Sequence, residues 1–373
     1  MQESGEHEAG GILTIDLGAV VDNWRELARR VAPSRCAAVV KADGYGCGLE
    51  QVTAALTRAG CDTFFVAHLV EGRRARAVAP RATIYVLNGL LPGTASAYPG
   101  CNLHPVIGSL AEFAEWKAFV GATSWHGGAA LHVDTGMNRL GLSFEEAAWL
   151  SAQPQAERGE LVLIMSHLAC AESPDHPLNA KQIGEFGELR SMYTGVPGSL
   201  ANSSGIFLGP DAHHDLVRPG VALYGGNPTP LHLNPMRPVV ELAGRIVQTR
   251  VVPEGESVGY TAAWTARRES RIAVVSVGYA DGVMRAASGR DSKPGAEAIV
   301  AGRRCPFAGV ISMDLLAIDI TELPEDIARR GDVVTLLGQD ISVDDLASHA
   351  GTISYEVLTS LGNRYHRVYR EGT

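Results

Sequence analysis

The sequence has no excess of basic charge. Lysine and arginine total 32 against 41 aspartates and glutamates, a net charge of −9. A protein that grips a phosphate backbone carries a positive face, so no nucleic-acid partner is expected. No apolar run approaches the ~20 residues needed to span a bilayer, so no membrane partner is expected either. The N-terminus, MQESGEHEAGGILTIDL, lacks a basic segment followed by an apolar stretch; no signal peptide is read there, and a cytoplasmic location is expected. The six cysteines (Cys36, Cys47, Cys61, Cys101, Cys170 and Cys305) contain no CxxC pair. They read as reduced, mostly buried thiols rather than a disulfide framework, and no metal site is expected. No GxGxxG follows the first strand, which weakens a dinucleotide-type doubly wound sheet. No internal repeat or low-complexity tract appears.

What is present is an ordinary globular composition, 46% hydrophobic and 20% charged over 373 residues. That length suffices for two domains, or one large barrel with an appendage. From Ile12 a short apolar run, a polar loop and a helical stretch alternate. CAAVVKA (36–42), DTFFVAHL (62–69), TIYVLNG (83–89), NLHPVIG (102–108), AALHVDTG (129–136), LVLIMSHL (161–168) and HHDLVRPG (213–220) read as strands. LEQVTAALTRAG (49–60), LVEGRRARAVA (69–79), SLAEFAEWKAFV (109–120) and NAKQIGEFGELRSMY (179–193) read as helices. Such alternation implies parallel βαβ units, and their number fits a (β/α)8 TIM-like barrel. From Val239 onward the texture becomes short strands punctuated by Gly, Pro and Asp, an all-β pattern closed by a helix around SVDDLASHAG. The expected organisation is an α/β barrel over residues 12–238 and a mainly-β C-terminal domain over 239–373.

Six segments carry candidate chemistry. In AVVKADGYGCG, Lys41 ends a buried strand before a glycine-rich loop, at the barrel face where such enzymes place catalytic groups. Desolvation there lowers an ammonium pKa, which suits a Schiff-base lysine. Read alone, it is equally a lysine that ends a strand and points to water. LHVDTGMNRLGL brings Arg139, a residue able to grip a carboxylate through two parallel hydrogen bonds, or one that is simply solvated. MSHLACAE places His167 at a strand end, and LANSSGIF offers Ser203 with loop amides for a phosphate. In VRPGVALYGG, Arg218 ends a strand and Gly220 permits close approach to an anion. Tyr260, Tyr279 and Met313 stand in turns of the β region, where tyrosines most commonly serve packing.

Taken in order, VVKADGYGCG, VDTGMNRLG, SHLACAE, ANSSG, VRPGVALYG, VGYADG and SMD resemble the bacterial alanine racemases from about Leu13 to Tyr369. The one departure within the first motif is Cys47, where many members have histidine. The resemblance implies a fold-type III pyridoxal 5'-phosphate barrel followed by a β domain, working as a homodimer with shared sites on a small amino acid. Lys41 would carry the cofactor as a Schiff base. Tyr45, Ser203, Gly220 and Val221 would hold its phosphate, Arg218 would donate to its ring nitrogen with His167 beside it, and Arg139 would grip the substrate carboxylate. Tyr260 and Met313 would come from the other subunit, with Tyr279 lining the entrance. Lys41 and Tyr260 would be the two bases, although a tyrosine at its ordinary pKa of ~10 is a poor one. Arg218 argues against the related barrel decarboxylases, which carry an acid there, and the β domain argues against a bare-barrel cofactor carrier. Racemisation of serine or lysine is the alternative substrate reading. Many members also carry a carbamylated lysine at His132 that steadies the substrate-binding arginine. Here a bound anion such as chloride, Asn138 or water is expected to take that part beside Arg139.

Overall fold

The computed structural model describes residues 3–123, 125, 127–154 and 159–371. It forms two compact units, one of Val20–Leu223 with Asn227–Pro235, the other of Met1–Ala19, Tyr224–Gly226 and Met236–Thr373.

The first unit is a parallel barrel. Ala38–Val39, Thr63–Val66, Thr83–Val86, His104–Ile107, Ala129–His132, Leu161–Met165 and Gly198–Ser199 pair in chain order as one seven-stranded sheet. Leu216–Val217 closes the ring. It pairs with Arg35–Cys36, which continues into Ala38–Val39, and Asp215 N–H donates to the Gly198 carbonyl at 3.0 Å on its other side. Strands such as TFFV and AALH are buried at every position, as expected where a parallel sheet is covered on both faces. Among the intervening helices, Leu49–Arg58 follows the apolar period read from the sequence. Leu49–Arg58 buries Leu49, Val52, Thr53, Ala55 and Leu56 on one face, and Gly60 beyond its end adopts φ +104°. Leu110–Ala122 is capped by Ser109, whose Oγ accepts from Glu112 N–H at 3.2 Å.

The second unit is built on Val240–Val252, a 13-residue strand bulged between Ile246 and Gln248. It pairs antiparallel with Gly11–Asp16, Val333–Leu337 and Ser270–Val275. Gly11–Asp16 also pairs, in parallel, with His366–Arg370 near the chain's end. In sequence this first strand runs straight into the βα rhythm; its hydrogen bonds place it in the β unit. Helix Val343–Ala350 has Ser342 as N-cap and Gly351 in the left-handed C-cap conformation. No helix among the described residues is long and apolar enough to cross a membrane.

Candidate active site

Lys41 sits where the first barrel strand runs out. Val40 N–H still donates to the Phe65 carbonyl at 2.9 Å, and then the chain turns sharply. Ala42, Asp43, Gly44 and Tyr45 adopt φ of 53°, 55°, 61° and 53°, a left-handed turn. Each non-glycine residue there costs roughly 1–2 kcal/mol, so something must hold it. Within the turn, Gly46 N–H donates to the Ala42 carbonyl at 2.9 Å and Gly48 N–H to the Asp43 carbonyl at 2.8 Å. From outside, Glu71 Oε1 accepts from Ala42 N–H at 2.7 Å, and Arg74 pairs with Asp43 at 2.6 Å. The Lys41 amine lies at the C-terminal mouth of the barrel. Burial lowers its pKa from the ordinary 10.5, and the positive charges of Arg139 and Arg218 lower it further.

Arg218 is buried, and among the described residues no carboxylate pairs with it. Its Nη1 donates to Ser199 Oγ at 2.6 Å, and its Nη2 to the Ser166 carbonyl at 2.6 Å. Nη2 also lies 3.4 Å from His167 Nδ1. Burial lowers its pKa to about 9, which still leaves it a cation at neutral pH. His167 is held well below its ordinary pKa of 6.5, first by burial and then by Arg218, and is neutral. Facing a guanidinium that can only donate, its Nδ1 is the acceptor and its proton sits on Nε2.

Tyr45 turns inward and is buried, and burial pushes its hydroxyl pKa up, so it stays protonated. Its hydroxyl lies against Gly220: a Cβ there would fall 2.2 Å from Tyr45 Oη. Gly220 N–H donates to Ser203 Oγ at 2.9 Å, and Ala222 N–H to the same oxygen at 3.3 Å. Val221 opens the short 3-10 turn Val221–Tyr224. Tyr45, Ser203, Gly220 and Val221 thus come together as a cradle of hydroxyls and backbone amides, the donor set a phosphate takes.

Arg139 rides on a loop organised by Asp134. That carboxylate accepts from the N–H groups of Gly136, Met137 and Asn138, each at 2.9 Å. Arg139 itself is exposed in the single chain, where water can solvate it. His132 is buried beneath the loop with its pKa lowered to about 4, chiefly by burial and then by Arg218; it is neutral at pH 7.

Several residues to which the sequence reading gave no role tie these loops together. Gln182, fully buried, donates to the His167 carbonyl at 2.9 Å and to Thr135 Oγ1 at 3.2 Å, and its Oε1 accepts from Ala169 N–H at 2.9 Å. Thr135 in turn meets Ser166 at 2.8 Å. Thr135 and Ser166 lie inside the quoted motifs VDTGMNRLG and MSHLACAE and could have been found there. Gln182 and Glu71 sit in helices, where a polar residue reads as a solvated one.

Tyr260, Tyr279 and Met313 belong to the β unit, and all three are exposed, by 64%, 41% and 53%. Tyr279 N–H donates to the Ser312 carbonyl and Ala280 N–H to that of Met313, both at 3.0 Å, which sets Tyr279 and Met313 side by side. Tyr260 stands on its own turn, after Gly259 at φ +78°.

Residues 15–228 match the family model described as alanine racemase, N-terminal domain, and residues 239–369 match that described as alanine racemase, C-terminal domain. An alanine racemase of Methylobacterium nodulans is 54% identical over 98% of this chain and 97% of its own. A relative from Mesorhizobium japonicum, named alanine racemase, catabolic, is 49% identical over 98% of this chain and 95% of its own. The crystal structure of alanine racemase from Bartonella henselae with covalently bound pyridoxal phosphate superposes with a TM-score of 0.91 at 39% identity, over 97% of this chain and 100% of that one.

Proposed function

Because this chain belongs to the alanine racemase family, we propose that it interconverts L-alanine and D-alanine with pyridoxal 5'-phosphate carried on Lys41. The observation that carries this reading is the juxtaposition, at one barrel mouth, of a desolvated Lys41 amine, the carboxylate-free Arg218 and the amide-and-hydroxyl cradle of Tyr45, Ser203 and Gly220. These residues fit the cofactor: Gly220 is pressed so closely by Tyr45 that a side chain is excluded, and the cradle's donors suit a phosphate. Pyridoxal phosphate, when bound, makes the substrate's Cα proton acidic by spreading the developing charge.

The protein's own part is proton handling and positioning. Lys41 Nζ, its pKa lowered by burial, removes or returns the Cα proton on one face. Tyr260 Oη does the converse on the other, so that one base accepts as the other donates and the configuration inverts. Arg218 stays protonated and would offer a hydrogen bond to the cofactor's ring nitrogen without giving up its proton. Neutral His167 supports that guanidinium, and Arg139 grips the substrate carboxylate through paired N–H donors. Tyr260, Met313 and Tyr279 are exposed on the β unit, which supports a homodimer in which residues 239–373 of one subunit complete the site in the 12–238 barrel of its partner. Six cysteines without a disulfide accord with a cytoplasmic setting.

The test is a D-amino-acid-oxidase-coupled assay on L-alanine, run beside L-serine, L-lysine and L-arginine, with Lys41→Ala as control. Formation of D-alanine by the wild type and none by the variant is expected. Faster turnover of another amino acid would reassign the substrate. Borohydride reduction and peptide mapping should label Lys41; label on Lys117, Lys181 or Lys293 would remove Lys41 from its role.

A further inference from the structure

Helix Leu69–Val78 reaches the Lys41 turn with two charged residues one helical turn apart, Glu71 and Arg74. Arg74 serves the exposed side of the turn, bonding Asp43 and Glu50. Glu71 serves the inner side and is only 9% exposed. Its Oε2 accepts from Ala67 N–H at 2.7 Å and His68 N–H at 3.1 Å, while its Oε1 accepts from Ala42 N–H at 2.7 Å. A helix cap accounts for the bond to His68. It does not account for the bond to Ala42, which lies on the neighbouring strand's end, next to Lys41. One buried carboxylate thus clasps the C-terminal ends of two adjacent barrel strands at the residue after the reactive lysine.

We propose that Glu71 is a positioning residue for the reaction: it fixes the start of the left-handed turn, hence the direction of the Lys41 side chain, and sets a carboxylate charge within reach of the Lys41 amine. The charges around that amine make the second part specific. Arg139 and Arg218 disfavour its protonated form, whereas Glu71 favours it. His167 and His132 lie in the same field and are neutral, and Asp43 is engaged by Arg74 at 2.6 Å. Glu71 therefore keeps two arginines from stripping the lysine of its proton too readily, which matters for a base that must also return one.

The inference rests on the role given to Lys41 above, and its test is separable from that one. Glu71→Gln keeps the shape, removes the charge and sets an amide N–H₂ against a backbone donor. In the holoenzyme, the acid limb of the kcat pH profile, which reports groups in the substrate complex where the Lys41 amine is released to act as a base, should move down by roughly one pH unit or more, because the amine loses the favourable charge of Glu71. At the same time kcat should fall roughly 10- to 100-fold through misplacement of the lysine, with a smaller change in KM. Amide exchange at Ala42, slow in the wild type, should become fast in the variant. A variant with lowered Tm but an unmoved acid limb, unchanged kcat and wild-type protection at Ala42 would reduce Glu71 to a helix cap. If Glu71→Gln does not accumulate folded, the unaltered enzyme decides: free exchange at Ala42 overturns the proposal, strong protection there supports it. Borohydride label on a lysine other than Lys41 would sink the reading of Lys41 instead, leaving the clasp itself in place.

Discussion

At the scale of single residues, burial is the first influence on the protonation of Lys41, His132, His167 and Arg218. His132 makes this measurable. Folded, it refuses a proton until about pH 4, whereas the ordinary value is 6.5. The unfolded chain therefore binds a proton that the folded chain does not as pH falls through that window, and stability is lost between about pH 6.5 and 4. The loss is on the order of 3 kcal/mol. Urea unfolding of His132→Gln should show a flatter pH dependence over this range than the wild type; parallel curves would mean the ring is not desolvated as described. The same residue bears on Arg139. An imidazole that is neutral at pH 7 supplies neither the carbamate nor any other fixed anion. Racemisation should therefore be independent of bicarbonate but should respond to the identity of small anions, chloride against a bulky one. Recovery of lost activity by bicarbonate would count against this.

At the scale of elements, the barrel mouth depends on close approach between two strand ends. A Cβ on Gly220 would lie 2.2 Å from Tyr45 Oη and 2.9 Å from its Cζ. Gly220→Ala must displace the ring or the backbone amide that forms the cradle. Its cofactor affinity should fall at least about tenfold, some 1.4 kcal/mol, in a titration followed by absorbance; wild-type affinity would show that the ring swings aside at no cost. Much of this level was legible in the sequence. The helix at 49–60 announced itself by its apolar period and by Gly60 at its end, which are local signals, and those at 69–79, 109–120 and 179–193 by their place between strands. Lys41, His167 and Arg218 stood at strand ends, and Arg139 and Ser203 in loops between the barrel's elements, where a barrel gathers its chemistry. Glu71 and Gln182 were illegible because their partners, Ala42 and His167, are distant in sequence and are backbone groups that leave no residue signature. The pairing of Gly11–Asp16 with Val240–Val252 was hidden for the same reason: an apolar strand does not name the sheet it joins.

At the scale of the whole molecule, the proposed second base, Tyr260, bears on the proposed homodimer. Tyr260 lies in a different compact unit from Lys41, on a turn at the protein surface, 64% exposed. Met313 and Tyr279 are exposed beside one another in that same unit. Apolar and aromatic side chains clustered in exposed turns commonly mark a surface that another molecule covers. A two-fold dimer uses the same surface twice, so a β unit that completes one barrel implies a second composite site by symmetry. This arrangement gives a result that no single-chain site can give. Lys41→Ala and Tyr260→Phe should each be inactive as homodimers. In a mixed dimer, one composite site holds both substitutions and the other holds neither, so about one site in two recovers full function. After random exchange, where about half of the dimers are mixed, roughly a quarter of wild-type activity should appear, with wild-type KM because the restored sites are wild-type sites. Subunit exchange must be verified independently, for instance by differently tagged chains that co-purify. If exchange is complete and no activity returns, Lys41 and Tyr260 of the same chain serve one site, and the shared arrangement fails.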